Sequence, residues 1–338
     1  MSKKHIQRIM RKNTYMISIM LMIIFLISSC TNVVEGKITT TLDVVGKIGE
    51  FKTAEETDSF CTTPCVYIES EYSYLIRNFP AELPSSKAEF DEFINEGQLS
   101  KKIEIYRNFD YDTIVAEVEL EEIQKRKIVF YNISKDADYY YIIGREADED
   151  NYITKSYIFN LDGHLVNEQQ LNIDEIDTAF IFNGKYYSLQ YESGFQSQCL
   201  IEYNLETSDE NILASNVVIA FYSGNNVYYI TQESEDFSRK MYIYSDNESS
   251  IMFEELPVYS DISSAYFDEK NKILYYADYS RIYVCDTNKL NNLTEDQHFE
   301  NAEVFSVAQS YVNILPCPVS LLVLEIGHNM VSLYEIGG

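Results

Sequence analysis

From Ser73 onward the chain alternates short runs of aromatic and β-branched residues with polar turn signals. The clearest stretch reads Thr178-Ala179-Phe180-Ile181-Phe182, then Asn183-Gly184, then Lys185-Tyr186-Tyr187-Ser188-Leu189-Gln190. Asn-Gly between two such runs predicts a tight hairpin, because both central positions of the favoured turn need positive φ. A third run at 199–205 and a fourth at 211–214 complete a unit of four short strands.

The same order recurs along the chain. Residues 139–143 and 157–159 repeat the second and third runs, as do 227–230 with 241–244 and 273–276 with 281–284. Second-run positions Tyr141, Tyr187, Tyr229 and Tyr275 are 46, 42 and 46 residues apart, and third-run positions Phe159, Tyr203, Tyr244 and Val284 are 44, 41 and 40 apart. Four-stranded units at this spacing are the pattern of propeller blades. A further unit opens the series with runs at 73–76 and 102–106, and another ends it with 320–324 and 331–336 around Gly327-His328-Asn329. Within the first unit, Ser86 and Glu89 form a capping box and Phe90, Phe93 and Ile94 share one face, which predicts an inserted helix near 86–96 ended by Gly97. The last unit is one strand short, and the segment from Thr39 to Val45 is expected to complete it and so remove open sheet edges. The expected fold is all-β, a six-bladed β-propeller over residues 39–338 closed by an N-terminal strand. A β-sandwich or two small β-domains would not require the repeat.

The first residues have a different character. Lys3, Lys4, Arg8, Arg11 and Lys12 form a basic head, and a 13-residue run from Tyr15 to Ile27 is apolar apart from Ser18. A spanning helix needs about 20 residues, so residues 1–29 are expected to be an export signal rather than a retained anchor helix. Ile27-Ser28-Ser29-Cys30 resembles the lipobox of bacterial lipoproteins, an aliphatic residue and two small ones before a cysteine. The resemblance implies cleavage before Cys30 and acylation of its thiol, with residues 30–38 as a tether and the protein held outside the cytoplasm at a cell or outer membrane by its acyl chains. Ordinary secretion is the alternative.

Charge narrows the partners. The chain carries a formal −28, and removal of residues 1–29 takes it to −33. Such a surface repels nucleic acid and anionic headgroups, so no nucleic-acid partner is expected. The residue choice, 29 Tyr and 18 Phe with no Trp, suits pleated half-buried surfaces. Six cysteines occur. Cys61 and Cys65 are spaced to close a small disulfide loop in an oxidising compartment, whereas Cys199 and Cys285 sit in apolar runs and read as buried small hydrophobes.

The repeat is similar to that of six-bladed propeller lipoproteins and TolB-like propellers of bacteria. Phe159-Asn160-Leu161-Asp162-Gly163-His164-Leu165 and Tyr203-Asn204-Leu205-Glu206-Thr207 look like those families' turns from third to fourth strand. The resemblance implies a binding or scaffolding role and carries no active-site residue across. The residues themselves point the same way. Beyond the export signal only His164, His298 and His328 offer imidazoles, two of them just after turn glycines, and no serine elbow, phosphate loop or His-rich metal motif is present. Asp148-Glu149-Asp150-Asn151 is the best oxygen-rich loop, but its spacing does not fit a calcium hand, and a solvated hairpin is the plainer reading. No catalytic residue, metal ligand or cofactor is therefore expected. The expected function is a membrane-anchored module that binds a protein, peptide or glycan. The alternatives are a carboxylate-based glycan hydrolase or lyase on the same scaffold, and a structural subunit of an envelope complex.

Overall fold

The computed structural model describes residues 32–36, 41–50, 65–76 and 101–337, apart from interruptions at 109, 149–150, 174–178, 192–197, 234–236, 259–260, 279, 291–296, 307–310, 317–320 and 327–329. The expected export signal, Cys30, Cys61, the expected helix at 86–96, Cys317 and His328 lie outside the described residues.

Apart from the two N-terminal strands, each described sheet is built from strands adjacent in sequence. After β1 (Asn32–Gly36) and β2 (Thr41–Glu50) come β3 (Cys65–Ile68), β4 (Tyr72–Ile76), β5 (Lys102–Arg107) and β6 (Asp110–Glu119), paired in that order. The next sheet holds β7 (Ile128–Lys135), β8 (Tyr139–Asp148), β9 (Asn151–Asn160) and β10 (Leu165–Gln170). Then come β11 (Ala179–Phe182), β12 (Lys185–Tyr191), β13 (Gln198–Asn204) and β14 (Glu210–Ala214), followed by β15 (Val217–Ser223), β16 (Asn226–Gln232), β17 (Arg239–Ser245) and β18 (Glu248–Phe253). The strands β19 (Ser264–Asp268), β20 (Ile273–Asp278), β21 (Arg281–Asp286) and β22 (Gln297–Ser306) form another sheet, and β23 (Tyr311–Pro316), β24 (Leu321–Ile326) and β25 (Met330–Gly337) the last. The first strands of successive sheets, β3, β7, β11, β15, β19 and β23, touch one another in that order, and β2 packs on β6. The sheets thus follow one another around an axis, and the chain is a β-propeller.

The two N-terminal strands have separate destinations. β2 pairs antiparallel with β25, Leu42 opposite Ile336 and Val44 opposite Tyr334, so the N-terminal strand completes the C-terminal sheet. β1 adds in parallel to the outer edge of β22, Asn32 opposite Gln297 and Gly36 opposite Asn301, within the segment expected as a tether. The expectation of six blades is thereby corrected. Five sheets are four-stranded blades, and the strands from β19 to β22 are joined by β1 into a five-stranded mixed sheet that is not such a unit. The apolar repeat reports strands that are buried. It does not report which outer edge a remote strand will pair with, because edge pairing uses backbone groups that every residue carries.

Position within a blade decides burial. The second strands are buried on both faces, as in β16 (Asn226–Gln232), where only the two end residues are partly exposed, while the outer strands β6 and β18 are mostly exposed. This is why second strands read as unbroken aromatic runs instead of alternating. Tyr141, Tyr187, Tyr229 and Tyr275, the positions that set the repeat, are all buried. Directly opposed aromatic pairs stack across the strands, with ring centroids at 4.9 Å for Tyr229–Tyr242, 5.1 Å for Phe180–Tyr187 and 5.2 Å for Tyr276–Tyr283. Other rings join one sheet to the next, including Tyr74–Tyr140 at 5.9 Å and Tyr228–Phe267 at 5.5 Å.

The turn chemistry follows the local sequence. Asn183 and Gly184 have φ of 51° and 67°, the two positive values that the Asn-Gly hairpin requires. Gly163, at φ 87°, closes the turn between β9 and β10, and a Cβ built there would sit 2.2 Å from the backbone oxygen of Glu119 in the neighbouring sheet. Neither the dihedral nor the backbone neighbour can give way cheaply. Gly163→Ala is therefore expected to lower the urea midpoint of unfolding, by the equivalent of about 1–3 kcal/mol, without changing the denaturant slope.

Candidate functional site

In the sheets that begin with β3, β7, β11, β15 and β19, the first hairpin, between the first and second strands, opens on one face of the ring. There the ends of β3, β7, β11, β15 and β19 surround a cavity of about 410 Å³. Ile68, Ile181 and Phe182 supply apolar lining, and Tyr67, Tyr141, Tyr222 and Tyr266 supply rings with hydroxyls. Ser134, Lys135, Asp136, Asn183 and Asn225 supply the polar side chains.

Asp136 organises its corner. One carboxylate oxygen accepts the backbone N–H groups of Asp138 and Tyr139, both at 2.8 Å, and the other accepts the Tyr141 hydroxyl at 2.7 Å. Partial burial opposes ionisation, but these three donors outweigh it and hold the carboxyl below its usual range. Burial first, and then the same pairing, raises Tyr141, so its proton stays on the phenol oxygen. Lys135 is also engaged, with its ammonium 3.3 Å from Glu69, 3.0 Å from the Asp136 carbonyl and 5.5 Å from the centroid of the Tyr74 ring. Glu69 in turn accepts the Tyr74 hydroxyl at 2.9 Å. Tyr67, hydrogen-bonded to Ser134, is pushed up to about 12, first by burial and then by Glu69. The Tyr222 ring stacks on Phe182 with centroids 5.2 Å apart and lies tilted beside Phe180 at 5.5 Å. Among the described residues the carboxamides of Asn183 and Asn225 have no side-chain hydrogen-bond partner.

The turn residues Asn183 and Gly184 and the repeat position Tyr141 line this cavity, whereas the described residues weighed from sequence for chemistry lie elsewhere. Cys65 is buried at the start of β3, and its expected disulfide partner Cys61 lies outside the described residues. Cys199 and Cys285 are buried in β13 and β21, and burial pushes the Cys285 thiol up to about 12, the state of an unreactive packing residue. His164 is exposed in the turn after Gly163, its ring 3.4 Å from Glu122. Asp148 and Asn151 are the last paired residues of a hairpin between β8 and β9. Among the described residues no three His, Cys, Asp or Glu side chains are grouped to hold a metal ion. Sequence reasoning missed Lys135, Asp136 and Asn225. Their signal was positional, since each lies at the polar end of a first strand, but the repeat was read from second and third strands.

No protein-family model and no curated protein matches the chain. Solved structures do. The β-propeller domain of the trilobed protease from Pyrococcus furiosus is 13% identical, covering 82% of this chain and 81% of that one, with a TM-score of 0.44. A gluconolactonase from Xanthomonas campestris is 8% identical over 88% and 89% of the two chains, with a TM-score of 0.39. The extracellular domain of a putative one-component system from B. thetaiotaomicron is 10% identical over 84% of this chain and 39% of that one, with a TM-score of 0.41.

Asp136 yields a pH prediction. Its folded pKa is depressed, so its contribution to stability is present above the unfolded value of about 3.9 and is lost as pH falls through the folded value. Asp136→Asn is expected to be less stable than the unsubstituted protein at pH 7, with a difference that shrinks as pH falls below about 3.9, as followed by urea midpoints across that range.

Proposed function

We propose that this chain is an exported, lipid-anchored binding module that takes its ligand at the mouth of the propeller channel. The observation that carries the binding role is the cavity itself, where side chains from five separate hairpins converge. Its carboxylate and ammonium groups are spent on contacts within the protein, which suits a surface that holds a ligand better than one that transfers protons. A volume of about 410 Å³ falls within the roughly 300–1,000 Å³ of small-molecule sites. The anchoring part rests on the basic head, the short apolar run and Ile27-Ser28-Ser29-Cys30. Among the described residues no helix is long and apolar enough to cross a membrane.

Anchoring at Cys30 would also orient the molecule. β1 starts at Asn32, opposite Gln297, the end of β22 that lies on the same face as the hairpins lining the cavity. Two residues span at most about 7 Å, so the acyl chains would leave from the rim of the cavity face and hold that face toward the bilayer.

Two outcomes are expected. Mass spectrometry of the membrane fraction is expected to find a mature N-terminus at an acylated Cys30, and Cys30→Ser to release the protein from membranes. An unmodified Cys30 would refute the anchor. With the anchored protein on vesicles carrying a bilayer-depth quencher, a fluorophore at Ala137→Cys on the cavity face is expected to be quenched more than one at Lys125→Cys on the opposite face. Equal quenching would refute the orientation.

A further inference from the structure

We infer that the ligand of this cavity is an uncharged, polyhydroxylated molecule of the oligosaccharide class. The inference rests on the reading of the cavity as the binding site and adds the chemistry of what fills it. The cavity mouth offers a ligand no unopposed charge. The ionic groups at the mouth form an alternating series, Glu69 on Lys135 and Lys135 beside Asp136, each with further hydrogen-bond partners. An anionic ligand group that approached Lys135 would meet both carboxylates. A cationic one that approached Asp136 would meet Lys135 and would displace donors already bound to that carboxylate. Either ion would lose its hydration without gaining an unopposed partner, which costs more than it returns.

The polar groups that face the cavity beside these ions are neutral. Asn183 and Asn225 each offer a carboxamide with two donors and an acceptor, from different hairpins. Tyr67 and Tyr141 keep their protons well above neutral pH and so remain neutral hydroxyls. Rings and apolar side chains line the same walls. A pyranose matches this set, because its hydroxyls point outward around a ring whose C–H faces are apolar and stack on aromatic side chains. A peptide would bring backbone groups in a line, whereas the open carboxamides here lie on separate turns around a ring.

The test is titration calorimetry of the soluble form beginning at residue 31, with neutral oligosaccharides of gluco, galacto and manno type, the matching uronic-acid and amino-sugar oligomers, and an uncharged tetrapeptide. The expected result is binding of a neutral oligosaccharide, weakened about fivefold to tenfold by either Asn183→Ala or Asn225→Ala. Its affinity should be unchanged between 0.05 and 0.5 M salt and between about pH 5 and 9, since neither Asp136 nor Tyr67 titrates there. Preference for a charged oligomer or the peptide, reduced by the same substitutions, would overturn the ligand class and leave the cavity as a binding site. Binding of any probe that both substitutions leave unaltered would overturn the cavity as the site. Circular dichroism of each variant establishes that it is folded.

Discussion

A tyrosine ring inside a blade buries a wide apolar face, yet it carries a hydroxyl that needs an acceptor. In this chain the acceptor is repeatedly a carboxylate. Tyr187 donates to Glu202 at 2.8 Å, Tyr106 to Glu104 at 2.6 Å, Tyr283 to Asp278 at 3.1 Å, and Tyr228 to Glu269. With 29 tyrosines, 54 acidic residues and no tryptophan, the composition supplies both halves of that pairing. Tyr187, Tyr228 and Tyr283 are tied in this way to a turn or an adjacent strand, and Tyr106 to a residue two positions earlier on its own strand. A charged acceptor makes these hydrogen bonds stronger than neutral ones. It also explains how carboxylates such as Glu104 and Glu202 are tolerated in buried positions, the latter with Lys185 at 3.0 Å as well.

The same device shapes the cavity. Tyr74 with Glu69 and Tyr141 with Asp136 each pair a second-strand ring with an acid five residues earlier, in the preceding hairpin. Packing of the rings fixes the second strands, and the hydroxyls then fix the turns at the mouth. The charges that would otherwise face a ligand are consumed by this bracing. What remains open is neutral, and the site's chemistry is thus a by-product of how the propeller holds its own hairpins.

A second balance operates on the outside of the ring. A half-buried network joins Arg126 and Lys155 to Glu146 and Glu168, with separations of 2.6 Å for Lys155–Glu146 and 2.7 Å for Arg126–Glu168. It links the loop before β7 to strands β8, β9 and β10, so part of the large negative charge is answered within the fold. Outer strands otherwise expose both their charges and their backbone edges. One of those edges, on β22, is covered by β1, which removes a pairing surface that a foreign strand would use.

The sequence by itself determined the strands and their grouping. Aromatic runs at the spacing of Tyr141, Tyr187, Tyr229 and Tyr275 mark second strands because those strands are buried on both faces, and Asn183-Gly184 marks a hairpin because few other pairs accept two positive φ values. The N-terminal strand that completes the last sheet was legible for a related reason, since a terminal unit lacking one strand leaves an edge to be filled. Tertiary structure alone decided that the ring holds five four-stranded blades and one mixed five-stranded sheet, because the pairing of β1 with β22 uses backbone groups that no side-chain pattern announces. It alone also assembled the cavity. Asp136, Asn183 and Asn225 are far apart in sequence, and each looks like an ordinary turn residue until radial packing brings the hairpins to one mouth.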